Sequence, residues 1–185
     1  MGTDPDARAY GMVIIEWCKR GRLEEAWGII EEMRGRNVIP HISSVNVLLR
    51  SLSERGEMGR AVKLLRDIPG MGCSPNFMSY SAVINRLCGY GGRMGTVEKL
   101  VVEMMRKGHR PDRTMYSLMV EGYCVDGEIE MAVGVFRGIM EEGFVITLGG
   151  FEALVEGLCR SGREGEAEMV FEEMRRRWDG VGARF

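Results

Sequence analysis

The chain has 185 residues, of which 45% are hydrophobic and 28% charged, and a formal net charge of −2 at pH 7. That balance suits a folded chain with a real core, as one domain or a short repeat array, and gives no global basic field to attract nucleic acid. No apolar run approaches the roughly 18–20 residues that cross a bilayer, so no membrane partner is expected. The N-terminal "MGTDPDARAY" lacks an apolar stretch and is too acidic and short to read as a transit peptide; Asp6 stands where a myristoylation signal needs Ser or Thr.

The sequence repeats itself. "CKRGRLEEAWGIIEEMR" at Cys18–Arg34 returns as "CRSGREGEAEMVFEEMR" at Cys159–Arg175. Pro5, Pro40, Pro75 and Pro111 are spaced 35, 35 and 36 residues apart, and only Pro69 lies off this series. Gly21, Gly56, Gly92, Gly127 and Gly162 keep the same step, with Ala26, Ala61, Val97, Ala132 and Ala167 five residues behind each. A fixed period of this length marks a repeat architecture.

Taken in chain order, the units are 7–41, 42–76, 77–112, 113–147 and 148–185. The third carries a one-residue insertion near 91–92, within "GYGGRMG" (Gly89–Gly95). In the fourth, Tyr116, Met119, Val120, Tyr123 and Cys124 form one apolar helix face. Asp126-Gly127 ends that helix, because Gly accepts the left-handed conformation after a helix. Ala132, Val135, Phe136 and Ile139 make a second apolar face, which Gly143 closes. Each unit is thus a helical hairpin of about eleven and thirteen residues. The fifth is degraded past Arg177, where "RRRWDGVGARF" gives no Pro and no clean helix signal. The expected fold is all-α: a single right-handed α-solenoid of about five stacked antiparallel helix-turn-helix repeats. No polar capping helix precedes the first unit, which leaves the terminal repeats open to end-to-end self-association.

Catalytic and metal motifs are missing. His41 and His109 both fall in inter-unit loops, no two cysteines have the spacing of a zinc site, and no HExxH occurs. "GYGGRMG" lies in a turn between helices with no strand before it, so it reads as an indel and not as a phosphate loop. The chain is expected to be non-catalytic, without metal or cofactor. Cys18, Cys88, Cys124 and Cys159 share one place in four units and read as small buried helix residues, with Cys73 a free thiol in a loop. Met33, Met104, Met140 and Met174 read as core.

The tetratricopeptide pattern W-x₂-L-G is absent from every unit. Instead the stretches "CKRGRLEEAWGIIEEMRGRNVIP", "GCSPNFMSYSAVINRLC", "MMRKGHRPDRTMYSLMVEGYCVDGEIEMAVGVF" and "LVEGLCRSGREGEAEMVFEEM" between them carry a "Y-x-x-[LMV]-[IV]…[LY]C" first helix, a "G-[RE]" turn and an "EEM…G…P-[DN]" ending. In these features the chain resembles the pentatricopeptide repeat family, in its plant-type 35-residue form, from about Pro5 to Met174. The resemblance implies single-stranded RNA binding in a mitochondrion or chloroplast, in RNA processing, stability or translation, with one nucleotide facing each repeat.

In that family the fifth and last residues of a unit select the base. Carried over, these are Gly11 and His41, which match no usual pair; Asn46 and Asn76, favouring cytosine over uracil; Ser81 and Asp112, favouring guanine; Ser117 and Thr147, a non-standard pair; and Glu152. The second residue of a unit wedges against the base, and among Arg8, Ser43, Met78, Thr114 and Gly149 only Met78 offers an apolar wedge. Lys19, Arg20, Arg55 and Arg160, at the ends of first helices, are the candidate phosphate contacts. For the polar residues the competing reading is helix capping, which Asn and Ser favour. Mild acidity and few strong base-reading pairs keep two alternatives open: a protein-interaction scaffold, and a fragment of a longer array without separate activity.

Overall fold

The structure is a computed structural model that describes residues 6–182; for 178–182 it describes the helical backbone alone. Ten α-helices occur among the described residues, with no strand. They are α1 Ala7–Lys19, α2 Leu23–Gly35, α3 Ile42–Glu54, α4 Met58–Asp67, α5 Phe77–Cys88, α6 Met94–Arg106, α7 Arg113–Val125, α8 Ile129–Glu141, α9 Leu148–Arg160 and α10 Glu164–Gly182. The chain is an all-α repeat protein of stacked helix-turn-helix units. It divides into two compact units, residues 1–86 with 106–109, and residues 87–105 with 110–185. In the first, α1 packs on α2 and α3, and α3 on α4; in the second, α7 packs on α8 and α9, and α9 on α10.

The local signals act as physical chemistry requires. Asp112 caps α7, its Oδ1 accepting from the Met115 N–H at 2.8 Å. At the other end Gly127 takes φ 77°, and the Glu128 N–H donates to the Tyr123 carbonyl at 2.9 Å, satisfying an orphan carbonyl of the last turn. Gly21, Gly56, Gly92 and Gly162 hold the same left-handed conformation in the other hairpin turns. Asn37 (φ 54°) occupies in the first repeat the place that Gly72, Gly108 and Gly143 hold later, since Asn is the next most tolerant residue there.

Two elements differ from the sequence expectation. The off-lattice Pro69 shortens α4, because proline removes a backbone donor; a 3₁₀ turn, Ile68–Met71, replaces its last turn. Helix α10 runs on to Gly182, through the stretch expected to lack a helix signal. Its Arg-rich middle has good helix propensity, and no proline follows to stop it.

The lattice residues form the core. Ala26, Ala61, Val97 and Ala132 are fully buried and Ala167 nearly so, where a neighbouring helix comes close. Met33, Met104, Met140 and Met174 are buried, as their helical spacing predicts. Buried tyrosines place their hydroxyls on carboxylates: Tyr10 donates to Glu32 at 2.9 Å and Tyr123 to Glu98 at 2.6 Å. No helix among the described residues is long and apolar enough to cross a membrane.

Among the glycines of the second unit, Gly122 of α7 is the most closely approached. A Cβ there would stand 2.6 Å from Met94 Sδ and 2.9 Å from the Cys88 carbonyl oxygen. The backbone oxygen cannot swing away as the thioether can. Gly122→Ala is therefore expected to destabilise the fold by about 1–3 kcal/mol through overpacking, despite the better helix propensity of Ala. Urea unfolding followed by circular dichroism measures it, and an unchanged midpoint contradicts this packing account.

Candidate nucleic-acid interface

The polar faces of α3 and α5 enclose a cleft of about 610 Å³ in the first unit. Ser43, Asn46 and Arg50 line it from α3, one helical turn apart, and Met78, Ser81 and Asn85 line it from α5 in the same rhythm. The volume falls in the range of roughly 300–1,000 Å³ typical of small-ligand sites.

Asn46 and Asn76 meet at the start of these helices. The Asn46 Nδ2–H donates to Asn76 Oδ1 at 3.1 Å, and the Ser79 hydroxyl donates to Asn46 Oδ1 at 2.6 Å. Asn76 Oδ1 also accepts from the Ser79 N–H at 3.1 Å, so it caps α5 while holding its neighbour. These bonds use both acceptor sites of the Asn76 oxygen and one of the Asn46 oxygen, and fix both planes. The donor capacity left over is one N–H of Asn46 and the amide group of Asn76, since each side-chain amide carries two N–H donors. An edge that offers donors suits a base that presents acceptors. Exposed Met78 supplies an apolar wall on the opposite helix, with Ser43 facing it. Ser81 is half-buried, its hydroxyl directed at the Met78 carbonyl at 3.3 Å.

The other candidates fall out unevenly. Asp112 is exposed, with one oxygen spent on its own helix cap. Thr147 caps α9, its Oγ1 accepting from the Gly150 N–H at 3.3 Å. Ser117 is not available to a base: it is fully buried, donating to the Arg113 carbonyl at 2.9 Å and accepting from the Thr147 N–H at 3.0 Å. The cause is Gly150, which lets α9 approach so closely that a Cβ there would lie 3.2 Å from the Ser117 carbonyl oxygen. Gly149, at a wedge position, is occupied instead by the Glu121 carboxylate, 3.0 Å from where its Cβ would be.

Of the candidate phosphate contacts, Lys19 is exposed at the end of α1. Arg20 pairs with Glu16 at 2.7 Å and Arg160 with Glu156 at 2.9 Å, both exposed pairs of small energetic worth that a phosphate can displace. Arg55 donates to the Gly21 carbonyl at 2.7 Å, which ties the turn of the first repeat to the second.

The shared cysteine position shows graded burial. All five thiols are free. Cys18 and Cys88 are buried, Cys124 is half-buried and Cys159 is exposed, against the expectation that all four are buried. Each is covered by the next first helix, as Gly122 covers Cys88 and Gly157 covers Cys124, and no later first helix covers Cys159 among the described residues. Burial pushes the Cys88 thiol up to about 12 and the Cys124 thiol up to about 11, so neither is a reactive thiolate at neutral pH. In the second repeat the same position holds Ser53. Among the described residues, Ser53 Oγ and Asn85 Oδ1 are the buried side-chain oxygens without a hydrogen-bond partner, and both residues line the α3/α5 cleft. A signal for Ser53 was present in the sequence as the one polar break in a row of cysteines; Asn85 gave none.

Comparison with known families settles the class of protein. The model of the PPR repeat family matches residues 40–89, and that of the PPR repeat matches 8–38, 114–144 and 151–178. The chain belongs to the pentatricopeptide repeat family. Among its relatives in Arabidopsis thaliana, the small ribosomal subunit protein mL103 (rPPR7) is 27% identical over 85% of this chain and 38% of its own length. A mitochondrial pentatricopeptide repeat-containing protein is 27% identical over 91% of this chain and 39% of its own length. The chain thus spans less than half of these relatives. Similar solved structures include maize PPR10 in complex with an 18-nt psaJ RNA element (TM-score 0.70, 22% identity, 93% of this chain and 25% of that one). The PPR domain of Arabidopsis thaliana protein-only RNase P 1 in complex with tRNA is another (TM-score 0.76, 18% identity, 89% of this chain and 86% of that one). At these identities the likeness is one of fold.

Two predictions follow from the site. Ser53→Cys restores the residue of the other four repeats and removes an enclosed hydroxyl without a partner; it is expected to raise stability by about 1 kcal/mol, read as a shift in urea midpoint. The second concerns Glu121, whose carboxyl is held above its ordinary range by burial. Its ionised form is disfavoured in the folded state, so it weakens the fold above its folded pKa and ceases to do so below its unfolded pKa. Glu121→Gln is expected to be more stable than the parent at pH 7, the gap closing as pH falls through the carboxylate range. Thermal melts at stepped pH test this, and a gap that persists at low pH contradicts it.

Proposed function

We propose that this chain is a non-catalytic, single-stranded RNA-binding repeat array that presents one nucleotide to each competent repeat, acting in organellar RNA processing, stability or translation. The observation that carries the reading is the Asn46–Asn76 pair, locked by Ser79, in which Asn46 lines the α3/α5 cleft across from Met78. A fixed donor edge beside an apolar wall is what a stacked, splayed-out base requires. The family's fold supports a nucleic-acid partner, and the organelle is inferred from relatives named as mitochondrial or chloroplastic.

The second repeat is the best formed reader, and its remaining donors favour cytosine, whose pairing edge presents two adjacent acceptors. The fourth repeat is a spacer, because Ser117 is enclosed.

A protein-interaction role is the second reading. Half-buried Glu121 of α7 and exposed Glu152 and Glu156 of α9 put carboxylates where a polyanion is repelled, and a relative is named as a ribosomal subunit protein.

Titration of labelled single-stranded RNA at low and moderate salt, with duplex RNA as control, separates the readings. RNA binding is expected to weaken steeply with salt and to favour single strands. Asn46→Ala and Asn76→Ala are expected to weaken cytosine-containing RNA about tenfold and to lessen the preference for cytosine over uracil. A folded helical protein that binds no RNA at low salt overturns the RNA reading and leaves the protein-interaction role.

A further inference from the structure

We propose that the α3/α5 cleft, toward the C-terminal ends of its helices, recognises the ribose 2′-hydroxyl, with Asn85 touching it and Ser53 beside it, so that this cleft discriminates RNA from DNA. The inference rests on the RNA reading above and adds to it a contact made to the sugar, not to the base.

Asn85 lies four residues beyond Ser81 on α5, about 6 Å further along the helix axis, and Ser53 lies seven residues beyond Asn46 on α3, about 10 Å further. Base-facing groups therefore stand at the starts of the two helices, and these two residues stand one to two turns further along them. Arg50 and Arg86 line the same part of the cleft. Arg50 is held only by a loose, exposed pairing with Glu54 at 3.8 Å. A nucleotide whose base sits against Asn46 and Met78, and whose phosphate lies toward those guanidinium groups, carries its sugar between them.

The second observation is chemical. Ser53 is 2% exposed and its Oγ has no partner, and the Asn85 Oδ1 is likewise buried and unpaired. An unsatisfied polar group inside a protein is costly, and native structures retain few of them. Ser53 is also the one polar residue at a position where the other four repeats hold cysteine, so neither the fold nor the repeat demands a hydroxyl there. Both residues line the one cleft, and each keeps an enclosed oxygen without a partner.

The third is complementarity. The 2′-hydroxyl both donates and accepts, and it is the group by which a protein tells RNA from DNA. An asparagine amide can present its oxygen or, flipped, its amino group, and a serine hydroxyl can take either part. Deoxyribose offers no such group and leaves those oxygens unpaired.

The test uses the 185-residue chain and three labelled mixed-sequence single strands: RNA, the matching DNA, and the 2′-O-methyl RNA, which cannot donate from that oxygen. The parent is expected to prefer RNA to DNA. Asn85→Leu is expected to weaken RNA binding about five- to tenfold, the worth of one net hydrogen bond, and to leave DNA binding unchanged. Ser53→Cys, which keeps the residue of the other repeats, is expected to reduce the RNA-to-DNA ratio in the same direction and stands in should Asn85→Leu fold poorly by circular dichroism. A parent that binds no RNA defeats both this inference and the reading beneath it. A parent that binds RNA, with variants that lose RNA and DNA affinity in parallel or lose neither, overturns the sugar contact alone.

Discussion

A helical hairpin of this size has two apolar faces and too little surface of its own to cover both. The structure depends on the solution to that constraint: within each unit neighbouring first helices lie close together, α1 on α3 and α7 on α9, so that one hairpin's exposed face becomes another's floor. Close approach needs small residues at the crossing. Ala26, Ala61 and Ala132 supply them on the second helices, and Gly122 and Gly157 do so on α7 and α9. The same contacts lie against the Cys88 backbone and the Cys124 side chain, and burial holds both thiols protonated.

The polar residues left on the first helices are then placed by the packing, not chosen independently of it. Asn76 serves two purposes, since one oxygen caps α5 and orients Asn46. The capping role and the base-facing role suggested by the sequence are therefore not alternatives at this residue. At Asp112 a cap also leaves the side chain exposed, whereas at Thr147 the cap uses the hydroxyl oxygen. The competence of a repeat depends on how much hydrogen-bonding capacity remains after the fold has taken its share.

Charge is distributed just as unevenly. Arg50 and Arg86 line the α3/α5 cleft against the one carboxylate of Glu54, while Glu121, Glu152 and Glu156 occupy the first helices of the fourth and fifth repeats. A chain with a formal net charge of −2 can offer a local site for a polyanion because screening confines such interactions to about a Debye length, roughly 8–10 Å. The global charge carries no information on that scale.

The sequence by itself determined the period, the helix pairs, the turn glycines and the family, because helix faces and left-handed turns are set by residues within a few positions of each other. It also marked Asn46, Asn76 and Met78. It could not show that α4 gives way to a 3₁₀ turn around Pro69, that Asn37 substitutes for a turn glycine, or that α10 continues past Arg177, where local preferences compete at close odds. Tertiary structure alone decided which polar side chains stay available. Ser81 and Ser117 hold the same place in their repeats, yet one lines a cleft and the other is enclosed, because Gly150, more than thirty residues along the chain from Ser117, lets α9 close over it. Ser53 and Asn85 became visible as a pair for the same reason: burial is a property of the neighbouring helix, and no periodicity within one helix encodes it.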